Sequence, residues 1–414
     1  MRKERFALIG DKTGAGLKRI MTFETGQWRK CVTPVTAERR GGNRWIIAPI
    51  AGVESWAPVK MQSMRNGLLC RVVGVGVLAC AVAVGLSERH AVADANGTTG
   101  GDDAALQREL AAIAASHHGR VALYATQLNT GKRVGLDADT PVQTASVIKL
   151  AILFEAMEEV RAGKARWDEK VTLAKGEAVG GSGVLTLLDT PVTLTLKDVL
   201  TLMIIMSDNT ATNLAIDRFG VDAVNARIGW LGLKDTHLYK KIMKPATGPM
   251  PADQPKFGLG KTTPREMAVV MERIGRCRLA GPGEASLPGD SAICEVGLKM
   301  LRNQFYRDTI PRYLEKLDSS ETGSGIASKT GSLNAVRADV AIVAGKTGPM
   351  ILSIFTYDNA DKGWTADNEG EVTIARLAKA IVEAWSPAGV DGKALVPGLG
   401  MGVSGGQVST SNSR

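Results

Sequence analysis

The order of periodic segments predicts an α/β domain, a sheet whose strands are separated along the chain by a helical insertion. Three observations carry this. Two strand-like runs, residues 120–128 and 132–136, flank Asn129-Thr130-Gly131, a hairpin turn signal. Helical periodicity then governs most of residues 146–301. Three further strand-like runs, 326–329, 338–344 and 351–357, come only after it.

The remaining elements follow in order. Residues 104–116 carry Leu106, Leu110, Ile113 and Ala114 at helical spacing. Residues 146–161 read as one long buried helix, with Ile148, Leu150, Ile152, Leu153, Met157 and Val160 on it. Helices also fit 196–206, 210–219, 263–274 and 292–301, and a closing helix spans 370–384. From Ser386 onward Gly, Ser, Pro and Asn dominate, so 386–414 is predicted to be a disordered tail.

Charge separates the chain into two parts. The 414 residues carry 51 Lys+Arg and 42 Asp+Glu, a net +9. Residues 1–93 hold 15 of the basic and 6 of the acidic residues, so the rest is neutral with 36 of each. The larger part therefore has no electrostatic reason to seek nucleic acid. In the smaller part Arg65 and Arg71 precede an apolar run at 72–86, followed by Ala91-Val92-Ala93. That is the order of a secretory signal, assigned to 61–93. The run is shorter than the roughly 20 residues of a membrane span; the alternative is an uncleaved anchor. Residues 1–60 show no sustained periodicity and read as an upstream leader, because Met61 and Met64 each begin a signal of ordinary length.

Export changes how the cysteines are read. Cys31, Cys70 and Cys80 precede the cleavage site, which leaves Cys277 and Cys294. An even pair in an oxidising compartment predicts a disulfide, with two unpaired thiols as the alternative. His117, His118 and His237 lack metal-ligand spacing, so no metal is expected.

Three short motifs carry chemistry. Ser146-Val147-Ile148-Lys149 puts a hydroxyl and an amine three residues apart, on one side of a helix start. A serine beside a desolvated lysine is an activated nucleophile. Ser207-Asp208-Asn209 follows an apolar helix, and Lys329-Thr330-Gly331-Ser332 ends a strand. Lys-Thr-Gly also occurs at Lys12 and Lys346, but only the copy at Lys329 follows both other motifs.

In this order the three motifs resemble the active-site signature of class A β-lactamases and penicillin-binding proteins. The 61 residues from Ser146 to Ser207 suit that family, and the resemblance covers about 104–385. It implies an antiparallel sheet flanked by helices with an all-helical subdomain inserted. It also implies roles. Ser146 becomes acylated with Lys149 as general base, and Ser207 relays the proton with help from Lys329. Backbone N–H groups of Ser146 and Ser332 form the oxyanion hole. Asn209 holds the substrate's amide, and Thr330, Ser332 and Arg337 receive its carboxylate. For Arg337 a structural pairing with Asp339 or another acid stands equally open.

One departure concerns hydrolysis of the acyl-enzyme. Class A β-lactamases place a water-activating glutamate on a loop after Ser-Asp-Asn, and here Ile242 aligns with it. No acid lies between Asp235 and Asp253, and the 122 residues from Ser207 to Lys329 indicate a rebuilt loop. Asp253 and Lys241 are the candidate substitutes.

The expected function is therefore an exported serine hydrolase, periplasmic or secreted, with β-lactamase activity first. The alternative is a D,D-peptidase or esterase that deacylates slowly, and behind it a non-catalytic cell-wall-binding relative. The mature domain is expected to act as a monomer on a small β-lactam or peptidoglycan-type acyl substrate. Neither nucleic acid, membrane nor cofactor is expected. Gly258-Leu259-Gly260-Lys261-Thr262 is no phosphate loop, because Pro255 stands where the first glycine belongs.

Overall fold

The computed structural model describes residues 101–280, 285–321 and 323–395, together with five short strands within residues 6–49. The chain divides into two compact units, Met1–Val92 and Ala93–Arg414.

The first unit contains β1 (Phe6–Ile9), β2 (Arg19–Glu24) and β3 (Gln27–Lys30) in one antiparallel sheet. It also holds the pair β4 (Val35–Arg39) and β5 (Trp45–Pro49). The sequence reading assigned no elements here. Strands of 4 to 6 residues are too short to register as a period in a window of about 11–18 residues. The two-residue hairpin between Glu24 and Gln27, with Gly26 in it, was the missed signal. The assigned signal segment at 61–93 lies outside the described residues.

The second unit opens with α1 (Gly101–Ala115), β6 (Arg120–Gln127), β7 (Arg133–Leu136) and β8 (Val142–Gln143). A 3-10 turn at Ala145–Ile148 leads into α2 (Lys149–Arg161). Ser146 and Lys149 therefore do not share one α-helix, which corrects the prediction of a single element from 146 to 161. Next come β9 (Lys170–Leu173), β10 (Val192–Thr195), α3 (Leu196–Ile205), α4 (Asn209–Phe219) and α5 (Val221–Trp230). Then β11 (His237–Leu238), α6 (Gln254–Phe257), β12 (Gly260–Thr262), α7 (Pro264–Gly275) and α8 (Asp290–Arg302) follow. The chain closes with β13 (Ile326–Leu333), β14 (Val336–Val343), β15 (Met350–Tyr357) and α9 (Glu369–Trp385).

The main sheet runs β13-β14-β15-β6-β7, antiparallel throughout. The predicted strand at 326–329 extends to Leu333, so Lys-Thr-Gly-Ser lies within β13 and not at its end. Both faces of the sheet are covered. A Cβ on Gly275 of α7 would meet Ile342, and one on Gly370 of α9 would meet Arg337. Residues 342 and 337 differ in parity along β14, so the two helices pack on opposite faces. This explains why β14 is buried at every position. The interval between β7 and β13 is mainly helical, as the spacing of elements predicted, but not all-helical as the resemblance implied, since β9 pairs with β10 and β11-β12-β8 form a small sheet.

Cys277, just past α7, and Cys294 in α8 are bonded as a disulfide with Cα atoms 5.5 Å apart. At the C-terminus the predicted tail begins too early. Val390 is fully buried and Leu395 nearly so, and the backbone of Val390 bonds to Leu317 and Ser319. Two apolar side chains and a bridge to the 315–319 segment hold residues 386–395 against the domain despite their loop-like composition.

Candidate active site

Each functional side chain is placed by a local device. Ser146 follows Ala145, which adopts φ +44°, while Thr144 N bonds to Gly260 O on β12 at 3.0 Å. In the 3-10 turn, side chains three apart eclipse, so Ser146 and Lys149 share a side. Ser146 is half-buried and Lys149 fully buried.

Ser207 joins α3 to α4 with φ +53°, outside either helix. Its neighbour Asp208 fastens this junction. One carboxylate oxygen caps α4 through Ala211 N at 2.9 Å. The other accepts from Val184 N at 2.7 Å and Leu185 N at 2.9 Å. Gly183 lies so close that a Cβ there would fall 2.2 Å from the carboxylate. The sequence reading gave Asp208 no role, although an N-cap residue before a helix is a recognisable signal.

The hydroxyl of Ser207 stands between two amines. Lys149 Nζ donates to Ser207 Oγ at 3.0 Å, to Ser207 O at 2.7 Å and to Asn209 Oδ1 at 3.2 Å. Lys329 Nζ donates to Ser207 Oγ at 3.1 Å and to Thr330 O at 2.7 Å. A hydroxyl oxygen has two lone pairs; with both occupied, its proton is free to be donated elsewhere.

Burial sets the charge of both lysines. Desolvation first, and then the charge on Lys329, hold Lys149 well below the ordinary lysine range, with Asp208 opposing. Lys329 is lowered to about 7 by burial, with Asp339 opposing. The site thus favours the proton-accepting amine form of Lys149 over its ammonium form, while Lys329 retains part of its charge at neutral pH.

Edge strand β13 closes the site. A Cβ on Gly331 would lie 2.9 Å from Ser146 N, 3.1 Å from Thr144 O and 3.1 Å from Ala145 Cβ. Those backbone atoms cannot retreat, so only glycine lets the strand lie against the serine. Gly331→Ala should therefore lower stability by about 1–3 kcal/mol through overpacking. It should also slow acylation about 100-fold, as a shift on the order of 1 Å does. Melting together with penicillin-labelling kinetics checks this; wild-type labelling would refute the close fit.

The other sequence-assigned residues divide. Thr330 is buried and Ser332 half-buried, both on β13. Asn209 uses both ends of its amide, since its Nδ2 donates to Gly180 O at 3.0 Å. Arg337 corrects the carboxylate-binding reading. It is wholly buried, pairs with Glu371 at 3.0 Å, donates to the carbonyls of Leu333, Val336 and Gly363, and lies under the Trp364 ring. Of the two readings left open, the structure favours the pairing with an acid, which is Glu371 and not Asp339; Arg337 stands opposite Ser332 across the ladder, but long-range neighbours already occupy the guanidinium.

Ile242 lies beside this constellation. Its N–H donates to Asn213 Oδ1 at 2.8 Å, and its carbonyl accepts from Asn213 Nδ2 at 3.0 Å. Asn213 is one helical turn from Asn209, the partner of Lys149. The proposed substitutes for a loop glutamate are otherwise engaged. Asp253 is held by Tyr239 at 2.8 Å and Lys261 at 3.0 Å, and Lys241 pairs with Asp217 at 2.7 Å.

An antiparallel sheet with Lys329 on its edge strand, set against helices that bring Lys149 to Ser207 next to Ser146, defines a serine hydrolase of the β-lactamase kind. The chain belongs to the beta-lactamase enzyme family, whose model matches residues 105–385. Its structure is similar to the β-lactamase from Sphaerobacter thermophilus at 29% identity, covering 66% of this chain and 95% of that one, with a TM-score of 0.56. It shares its fold with PBP-A at 23% identity, 68% and 96% coverage and a TM-score of 0.56. The same holds for a point variant of PBP-A captured as an acyl-enzyme with penicillin G, at 22% identity, 69% and 97% coverage and a TM-score of 0.57. No curated protein gives a significant match.

Proposed function

We propose that the protein is an exported serine hydrolase whose Ser146 is acylated by β-lactams and which releases the acyl group slowly. Lys149, whose burial favours the amine form, takes the Ser146 proton as Oγ bonds to the lactam carbonyl carbon. The carbonyl C–N bond then breaks, and the leaving nitrogen receives a proton from Ser207 Oγ, which Lys149 replaces with the one it took from Ser146, while Lys329 stabilises the charge that passes through Ser207. Backbone N–H groups of Ser146 and Ser332 are assigned to the oxyanion, at roughly 3–4 kcal/mol per donor. Export is part of the proposal. It is supported by the signal pattern at 61–93 and by a disulfide suited to an oxidising compartment.

The observation that carries the acylation step is the double contact of Ser207 Oγ with Lys149 and Lys329. Slow release rests on Ile242, an apolar residue whose backbone is clamped by Asn213 where a water-activating glutamate is expected. Incubation with penicillin G should add the mass of the whole antibiotic, mapped to Ser146 and persisting after the free drug is removed. Absence of both adduct and hydrolysis would overturn the proposal. Rapid turnover of a chromogenic cephalosporin would overturn slow release and restore β-lactamase activity as the reading.

A further inference from the structure

Exposed apolar side chains gather around the serine that meets the leaving group. Two segments bond to the turn that carries Ser207. Just past α8, Gln304 Nε2 donates to Ile204 O at 3.0 Å, Phe305 N to Ile205 O at 3.0 Å and Tyr306 Oη to Met206 O at 3.4 Å. Successive residues of that segment are thus laid along successive carbonyls leading into Ser207. In the second segment Val184 N and Leu185 N bond to the Asp208 carboxylate, and Leu187 and Leu188 follow at once. Phe305 is 62% exposed, Tyr306 43%, Leu187 76% and Leu188 46%. Four of the ten large apolar side chains exposed among the described residues therefore belong to these two segments. A scattered exposed apolar residue is ordinary, whereas a group of them around one reacting atom marks a surface for a ligand.

We propose that Tyr306 is a specificity-determining residue, a platform for an aromatic or other flat apolar group carried on the leaving-nitrogen side of the substrate. This rests on the reading that Ser146 is acylated. In that reaction Ser207 Oγ hands its proton to the leaving nitrogen, so whatever the nitrogen carries lies against the neighbours of Ser207. The hydroxyl of Tyr306 reaches the carbonyl one residue before that serine, which holds the ring at the same turn. The other neighbours are polar. Lys149 and Lys329 hold Ser207 Oγ, and Asn209 is bound by Lys149 and by Gly180 O. They serve the reacting bond and the acyl side, and offer no face to a flat apolar group.

The chemistry of the ring suits the task. Burial, and then the charge of Asp208, raise the Tyr306 phenol above its ordinary range, so it stays protonated and the ring neutral. Aromatic rings gain from offset or edge-to-face contact beyond the area they bury. Because Met206 O already holds the hydroxyl, little side-chain freedom is lost when a ligand settles on the ring. Phe305 adds a second exposed ring on the same segment.

The test uses two cephalosporins with the same acyl side chain, one bearing an aryl-vinyl group and the other a methyl group on the six-membered ring of the leaving side. Their intrinsic reactivities differ, but the difference cancels when each is compared between wild type and variant. Tyr306→Ala should lower the second-order rate constant for acylation by the aryl compound about tenfold, and by the methyl compound less than about twofold. Tyr306→Phe, which keeps the ring and drops the hydroxyl, should match wild type on both. If Tyr306→Ala does not fold, as judged by melting, Tyr306→Leu carries the test. It keeps an apolar side chain without a flat face and should produce a smaller loss on the aryl compound alone. Equal losses on both compounds would show a mere brace for Ser207 and overturn the proposal. Unchanged rates would also overturn it, as would Tyr306→Phe as slow as Tyr306→Ala. A wild-type protein that neither cephalosporin nor penicillin G labels overturns the acylation reading itself, and this proposal with it.

Discussion

Lys149→Met should lower the rate of penicillin acylation at Ser146 by 2 to 4 orders of magnitude, the range of a lost general base. The protein should remain folded. Lys149 is wholly buried, and desolvation together with the charge of Lys329 already disfavours its ammonium form. Methionine fills a similar unbranched volume without that cost. Against this, Ser207 O and Asn209 Oδ1 each lose a donor, roughly 1–3 kcal/mol for each buried acceptor left unpaired. The opposing effects should leave stability within a few kcal/mol of wild type. Rapid-mixing mass spectrometry measures the rate and thermal melting the stability. Labelling at the wild-type rate would mean that another group activates Ser146.

Ile242→Glu should shorten the lifetime of the acyl-enzyme by about 100-fold or more, the contribution of a positioned general base to water attack. The substitution leaves the backbone clamp to Asn213 intact, because both clamp bonds use main-chain atoms of Ile242. The new carboxylate would start beside Asn213, which lies one helical turn from Asn209, the partner of Lys149. Its negative charge should also raise the pKa of Lys149 and move the acid limb of acylation to higher pH. Both effects are read from one experiment, pulse-labelling with penicillin followed by timed quenching across pH. An unchanged lifetime with an intact fold would show that Ile242 does not limit release.

Local pattern carried much of the fold. Strands β6 and β7 were legible from the turn at Asn129-Thr130-Gly131, and α7 from Thr263 ahead of Pro264. Helix α5 was missed because only Val224 and Ile228 on it are fully buried, too few apolar positions for a clear stripe. The 3-10 turn at Ser146 was misread as α-helix because both place residues i and i+3 close together. Residues 386–395 were misread because composition does not reveal that Val390 is covered by the 315–319 segment.

For the site, the division has a physical cause. Reactive residue types at short spacing declare themselves, since Ser-x-x-Lys, Ser-Asp-Asn and Lys-Thr-Gly-Ser each join neighbours on one local element. From the sequence alone came the expectation of a signal segment ahead of a neutral stretch, the sheet split by a helical insertion, and the two serines and two lysines of the site. Only the tertiary structure decided what those groups face. It gave Arg337 to Glu371, tied Ile242 to Asn213 and required glycine at 331. Each of these joins residues at least 25 apart, or depends on burial that such contacts create. Charge and acidity in a protein interior are set by what excludes water, and that is a property of the assembled fold.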